Sequence, residues 1–182
     1  MASTRRARAT TAPPDWADEI HRRLQQWSIR QVAVVPDTGQ KRLISLCAAD
    51  PTWRMVTLTT EEEGIALLAG AWLGGERGVL LLQSSGVGNC FNMLAMNLTC
   101  RFPLLMIVTM RGEWNEFNPW MMPLGKAMQA MLERMGVVCV RAERPEDAGP
   151  ATDAAAKMAF EGPQAVALLL TQTLVSAKRF TP

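Results

Sequence analysis

Two kinds of segment alternate along the chain. Short, nearly continuous apolar runs (QVAVV, RMVTL, VLLLQ, LLMIV, VVCV and AVALLL) have the length of strands. Between them lie segments with helical spacing. The first covers 15–27, after two prolines, and places Ile20, Leu24 and Trp27 on one stripe. Further helices are predicted around 41–48, from Glu61 to Leu73, over 90–99, near 126–135 and after Pro145, with Pro150 interrupting the last near its start. Apolar strands separated by helices predict an α/β fold in three layers, about six parallel strands with helices on both faces. Residues 1–14 read as a disordered basic tail and 15–182 as a single domain. In such sheets ligands sit beyond the carboxyl ends of the strands. The loops expected there, PDTG, TTEEE, QSSGVGN and RGEW, are the chemically unusual parts of the chain.

Composition narrows the chemistry. The 182 residues carry a net charge of only +2, part of it from Arg5, Arg6 and Arg8 in the tail, so there is no nucleic-acid footprint. No apolar run approaches the roughly 20 residues that cross a bilayer. Cys47, Cys90, Cys100 and Cys139 form no CxxC pair, and no secretory h-region precedes them, which suits a reducing, cytoplasmic setting better than a disulfide framework. His21 is the only histidine. It lies one step off the α-helical stripe and is expected to be solvated, which leaves a Ser-His-Asp triad, a Cys-His pair or a multi-histidine metal site little to build on. Carboxylates or a cofactor are left to do any chemistry.

The loops offer bland readings beside functional ones. In TLTTEEEGIALLAGAW, Thr60 is placed to cap a helix, Glu63 to complete a capping box, and the acidic cluster to face the positive end of the helix dipole. GVGNCF resembles part of a dinucleotide fingerprint. However, Phe91 stands where a small residue is needed, and no acidic residue ends the next strand. A tight turn with glycines at positive φ, or a glycine-lined surface open to close approach, is the better reading. The segment 111–125 gathers Trp114, Phe117, Trp120, Met121 and Met122 among Pro119, Pro123 and Gly125. It either folds back into the core or forms a subunit interface.

Taken in order, VVPDTG, TTEEEGIALLAGAWLGG, VLLLQSSGVGN and RGEWNEFNP resemble the pyrimidine-binding half of thiamine-diphosphate-dependent 2-oxo acid decarboxylases. The pattern is nearest the sulfopyruvate decarboxylase alpha-subunit type, with phosphonopyruvate decarboxylases close by, and runs from about Ile20 to the end. The glutamate nine residues before a glycine, Glu61 to Gly70, is its most diagnostic feature. The resemblance implies that Glu61 hydrogen-bonds the pyrimidine N1′, so that the cofactor's own imino nitrogen takes the C2 proton and the thiazolium serves as electron sink. For that role Glu61 is expected to be buried, with a raised pKa. Gln83, Ser84, Ser85, Gly86 and Asn89 would line the pyrimidine side. Asp37 and Thr38 would reach the substrate, and Arg111 would meet its anionic end with Glu113 at the entrance; Lys41 and Arg42 are second choices for that charge.

In this family Mg²⁺ and the diphosphate are held by a GDG motif and later asparagines on a second domain. The sequence contains no GDG, and the chain ends at Pro182. A separate diphosphate-binding partner subunit is therefore implied, in a hetero-oligomer such as α2β2. The reaction implied is conversion of 3-sulfopyruvate to sulfoacetaldehyde and CO2. Alternatives are a phosphonopyruvate decarboxylase subunit, a carboligating enzyme subunit on the same scaffold, and a non-catalytic module that kept the fold.

Overall fold

In a computed structural model that describes residues 15–175, strands and helices alternate as the apolar pattern predicts. In chain order they are α1 (Trp16–Gln26), β1 (Ile29–Val34), α2 (Lys41–Ala49), β2 (Arg54–Thr57), α3 (Glu61–Leu73), β3 (Arg77–Gln83), α4 (Ser84–Cys100), β4 (Leu104–Thr109), α5 (Met121–Arg134), β5 (Val138–Ala142), α6 (Ala148–Glu161), β6 (Ala165–Leu170) and the short α7 (Gln172–Val175). The expected basic tail lies outside the described residues.

The strands form one all-parallel sheet in the order β2-β1-β3-β4-β6-β5. Side-chain alternation divides the core in two. Val32, Val34, Leu81, Ile107 and Leu168 pack on one face with α1, α2 and α6. Ala33, Leu80, Leu82, Met106 and Leu169 pack on the other with α3, α4 and α5. Both faces are covered, which explains why the strands read as unbroken apolar runs. The strand order reverses twice at the carboxyl edge. Beyond β1, the chain first goes to one neighbour, β2, and then crosses to the other, β3. Beyond β4 it goes to the edge strand β5 and returns to insert β6 between them. Crevices open at such reversals.

Several local expectations are corrected. SSGVGN is not a loop, because α4 begins at Ser84 and takes in both of its glycines. The positive-φ glycines among the described residues are Gly75, Gly112 and Gly136 instead. Helix α5 starts at Met121, with Pro123 in its first turn, where a missing N–H costs nothing. Pro150 likewise falls within the first turn of α6 and does not interrupt it; the break lies one step earlier, between a 3-10 turn at Pro145–Asp147 and the helix. His21 is not solvated either: its side chain is 15% exposed, with Nε2 3.6 Å from Asp50 and the ring 4.8 Å from that of Trp53. The α2–β2 turn folds over this flank of α1.

Glycine at 125 is what lets α5 dock onto the exit of β4. A Cβ there would run into the Arg111 carbonyl and lie 2.9 Å from Gly112 Cα. Both obstacles are backbone, so neither can swing aside. Gly125→Ala should lower stability by about 2 kcal/mol or more, read as a fall in the urea midpoint at unchanged slope.

Candidate active site

At the first reversal of strand order, one carboxylate ties three strands together. Asp37, just beyond β1, caps the following turn by accepting the Gly39 N–H at 3.1 Å. It also accepts the Thr109 hydroxyl at 2.7 Å, from the end of β4, and more distantly the Gln83 amide at 3.4 Å, from the end of β3. Gln40 braces the same region from below. It is 1% exposed, and its Nε2 donates to the carbonyls of Leu82 and Ile107. Neither Thr109 nor Gln40 stands out in the sequence, since a strand-end threonine and a helical glutamine carry no local signal.

Glu61 is the first residue of α3, at the same carboxyl edge. Its Oε2 accepts the Asn89 amide at 2.8 Å, and its side chain lies across Gly86 of α4. The expected capping box is displaced by one residue. The Thr60 hydroxyl donates to Glu62 at 2.6 Å instead of accepting from the helix, which holds the Glu62 carboxyl below its usual range. The Glu63 carboxylate accepts the Thr59 N–H at 2.9 Å. The three glutamates therefore divide: two serve the helix end, and Glu61 alone crosses to another helix. Glu61 is only half-buried, however. The first turn of a helix at a sheet edge has neighbours on one side, and the described residues do not supply the rest of the cover.

The remaining expected residues are placed differently from one another. Ser85 Oγ donates to Gln83 at 3.1 Å. Ser84 is buried, and its Oγ accepts the Arg111 backbone N–H at 3.0 Å. Both serines line a cleft of about 200 Å³ with Trp120, Met121, Leu124 and Gly125. Thr38 is exposed and lines a cleft of about 480 Å³ with Gly39, Lys41, Arg42, Ser45 and Leu46. Among the described residues no group of three or more His, Cys, Asp or Glu is placed to hold a metal ion.

Arg111 is not an open cation. It is 6% exposed and grips Glu116 through Nε and Nη2, both at 2.7 Å, with its guanidinium 5.6 Å from the Phe117 ring centre. Glu116 also accepts the N–H groups of Gly112 and Asn118 and the Gln172 amide. The Gln172 carbonyl oxygen in turn accepts the N–H groups of Glu113 and Trp114, both at 3.0 Å. Glu113 faces elsewhere and pairs with Arg141 at 2.8 Å. The 111–120 loop is thus fastened from inside by polar groups, and its apolar rings point outward. Trp114 is 53%, Phe117 41% and Trp120 71% exposed. They are not folded back into the core.

The hydrogen bonds from Arg111, supported by those from Asn118, Gln172 and Gly112, overcome burial and hold the Glu116 carboxyl at about 2, against an ordinary 4.5. A depressed carboxylate pKa stabilises the fold above the unfolded value and loses that contribution as pH falls through the folded one. The pair's contribution, on the order of 3 kcal/mol, should be present above about pH 4.5 and fade towards pH 2. Glu116→Gln strands a buried guanidinium and should cost about 3–5 kcal/mol at pH 7. Urea midpoints of the two proteins should approach one another as pH falls from 4.5 towards about 2.

Comparison with known proteins gives this geometry its setting. The profile of the thiamine pyrophosphate enzyme N-terminal TPP binding domain matches residues 15–123. The sulfopyruvate decarboxylase subunit alpha of Methanocaldococcus jannaschii is 31% identical over 130 residues, covering 71% of this chain and 77% of that one. The phosphonopyruvate decarboxylase of Streptomyces viridochromogenes is 42% identical over 89 residues, which are 48% of this chain but 22% of that protein. In fold, the chain superimposes on the 2-oxoglutarate:ferredoxin oxidoreductase of Magnetococcus marinus with a TM-score of 0.73 at 17% identity, over 96% of this chain and 32% of the other. The matched region takes in β1 to β4 with Asp37, Glu61 and the start of α4, and on that ground the chain belongs to the thiamine pyrophosphate enzyme family, of which it carries the N-terminal cofactor-binding domain.

Proposed function

We propose that this chain is the pyrimidine-binding subunit of a split thiamine-diphosphate-dependent decarboxylase that converts 3-sulfopyruvate to sulfoacetaldehyde and CO2. The observation that carries the reading is the Glu61 carboxyl, brought to the ligand edge of the sheet, laid on a glycine and held through one oxygen. These residues fit the pyrimidine end of the cofactor: a single acceptor beside a surface without side-chain bulk. When bound, thiamine diphosphate supplies the electron sink that makes loss of CO2 from a 2-oxo acid feasible. Glu61 would hold the proton shared with the pyrimidine ring nitrogen. Asp37, fixed by Thr109 and Gly39, and Thr38 beside it would face the substrate.

A partner chain completes the site in this reading. Glu61 needs a cover that the described residues do not give it, and sharing a proton is favoured where the carboxyl is desolvated. The exposed Trp114, Phe117 and Trp120, next to the cleft at Ser84 and Ser85, are the residue types that interfaces favour. Several relatives are themselves named as alpha subunits. Mg²⁺ and the diphosphate would be held by the partner. A cytoplasmic location suits the four unpaired cysteines, of which burial pushes Cys47 and Cys90 up to about 12. The match to phosphonopyruvate decarboxylase makes a phosphonate the second choice of substrate.

The test is reconstitution with the diphosphate-binding chain encoded by the same organism. Wild type should decarboxylate sulfopyruvate in preference to pyruvate. Glu61→Gln should fold normally and lose roughly 10²–10⁴-fold in kcat, whereas Glu62→Gln and Glu63→Gln should lose little. Near-normal turnover by Glu61→Gln would remove the assignment.

The substrate's second anion needs a cation on some chain. Since Arg111 is committed to Glu116, and Arg42 grips Asp18 at 2.7 and 2.8 Å, the charge falls to Lys41. It is exposed in the 480 Å³ cleft beside Thr38, with no ion pair among the described residues. Lys41→Ala should raise KM for sulfopyruvate roughly tenfold or more while leaving KM for pyruvate nearly unchanged. Equal effects on both would assign the charge to the partner.

A further inference from the structure

The two oxygens of Glu61 are held unequally. Oε2 takes the Asn89 amide, while Oε1 makes no hydrogen bond among the described residues and lies over Gly86. A Cβ at position 86 would come within 2.6 Å of Glu61 Cγ and closer still to the carboxyl group. Gly86 and Asn89 are both poor helix formers. They nevertheless occupy the first two turns of α4, and both meet the same carboxyl group from a helix other than its own. Asn89 is exposed and makes no other side-chain hydrogen bond among the described residues. A free glutamate side chain at the start of α3 would sample many rotamers, and fixing one costs side-chain entropy. A bed without a Cβ and a single amide donor meet that cost before any ligand arrives.

We propose that Asn89 and Gly86 are positioning residues for Glu61. Asn89 pins Oε2 and thereby leaves Oε1 as the one oxygen available to the pyrimidine ring nitrogen; Gly86 provides the space in which that orientation fits. This differs from a role in lining the cofactor, because both residues act through the glutamate. It rests on the role of Glu61 given above, and it names what the glutamate requires from its own chain.

If Asn89 holds Glu61 in one rotamer, its removal should free the side chain. The experiment follows side-chain three-bond ¹³C couplings in the full chain labelled at glutamate, without cofactor or partner, with Glu61 assigned by the signal lost in Glu61→Gln. In wild type the Glu61 couplings should report a single rotamer, and in Asn89→Ala they should fall to rotamer-averaged values. Asn89→Asp, the closest in shape, should release the side chain as well, because it replaces the donor with a like charge; Glu62 and Glu63 should be unmoved. In the reconstituted enzyme, Asn89→Ala should lower kcat roughly tenfold at little change in KM, and Asn89→Asp more. An unchanged Glu61 rotamer in both variants overturns the proposal, as does wild-type kcat in Asn89→Asp. The couplings are read on the chain alone, so they stand or fall independently of whether Glu61→Gln silences the enzyme.

Discussion

The approach of α4 to α3 is the constraint on which the site depends. Glycine at position 86 lets a carboxyl group occupy the place where a side chain would otherwise stand. With any other residue there, Glu61 would be driven off the helix surface or the two helices apart. The buried sides of the same helices, carrying Ile65, Leu68, Val87, Cys90 and Leu94, set the distance by ordinary packing against β3 and β4. The Glu61 carboxyl and the core thus lie on two faces of one helix pair, and the separation between the helices is not adjustable on its own.

The second structural device works the other way round. In the 111–120 loop the polar groups face inward and the rings outward. Glu116 collects four donor groups and Gln172 ties the loop to the end of β6, so the segment holds its shape without an apolar core of its own. A loop fastened in this manner can present tryptophans to another surface at little ordering cost on binding. Its anchor, Arg111, enforces the arrangement, because a buried guanidinium without its carboxylate is far costlier than the pair.

Much of the fold was legible along the chain. The six strands announce themselves as apolar runs because both faces of the sheet are covered, and α3 begins at Glu61 because strand, threonines and acidic cluster are local signals. The spacing of Glu61 to Gly70 within the family pattern singled it out from the two glutamates beside it. Less could be read where the decisive partner is elsewhere. The start of α4 was misplaced because two glycines look like a turn when nothing shows that one of them faces a carboxylate 25 residues earlier. Pro123 and Pro150 looked like breakers because their positions in a first turn are fixed only once the helix start is known.

The sequence by itself determined the class of sheet, the order of its elements and the start of α3 at an acidic cluster, since all of these follow from local periodicity and short motifs. Tertiary structure alone decided which groups meet. Arg111 could have paired with Glu113 or Glu116, and the turn at Gly112 assigns it to Glu116 while Arg141, from β5, takes Glu113. Asn89 reaches Glu61 only because α3 and α4 lie side by side on one face of the sheet, and Thr109 reaches Asp37 only because β1, β3 and β4 end at the same edge. Hydrogen-bond partners are set by distances in space of about 3 Å, and no pattern along a chain encodes such a distance until the sheet has brought its strands into register.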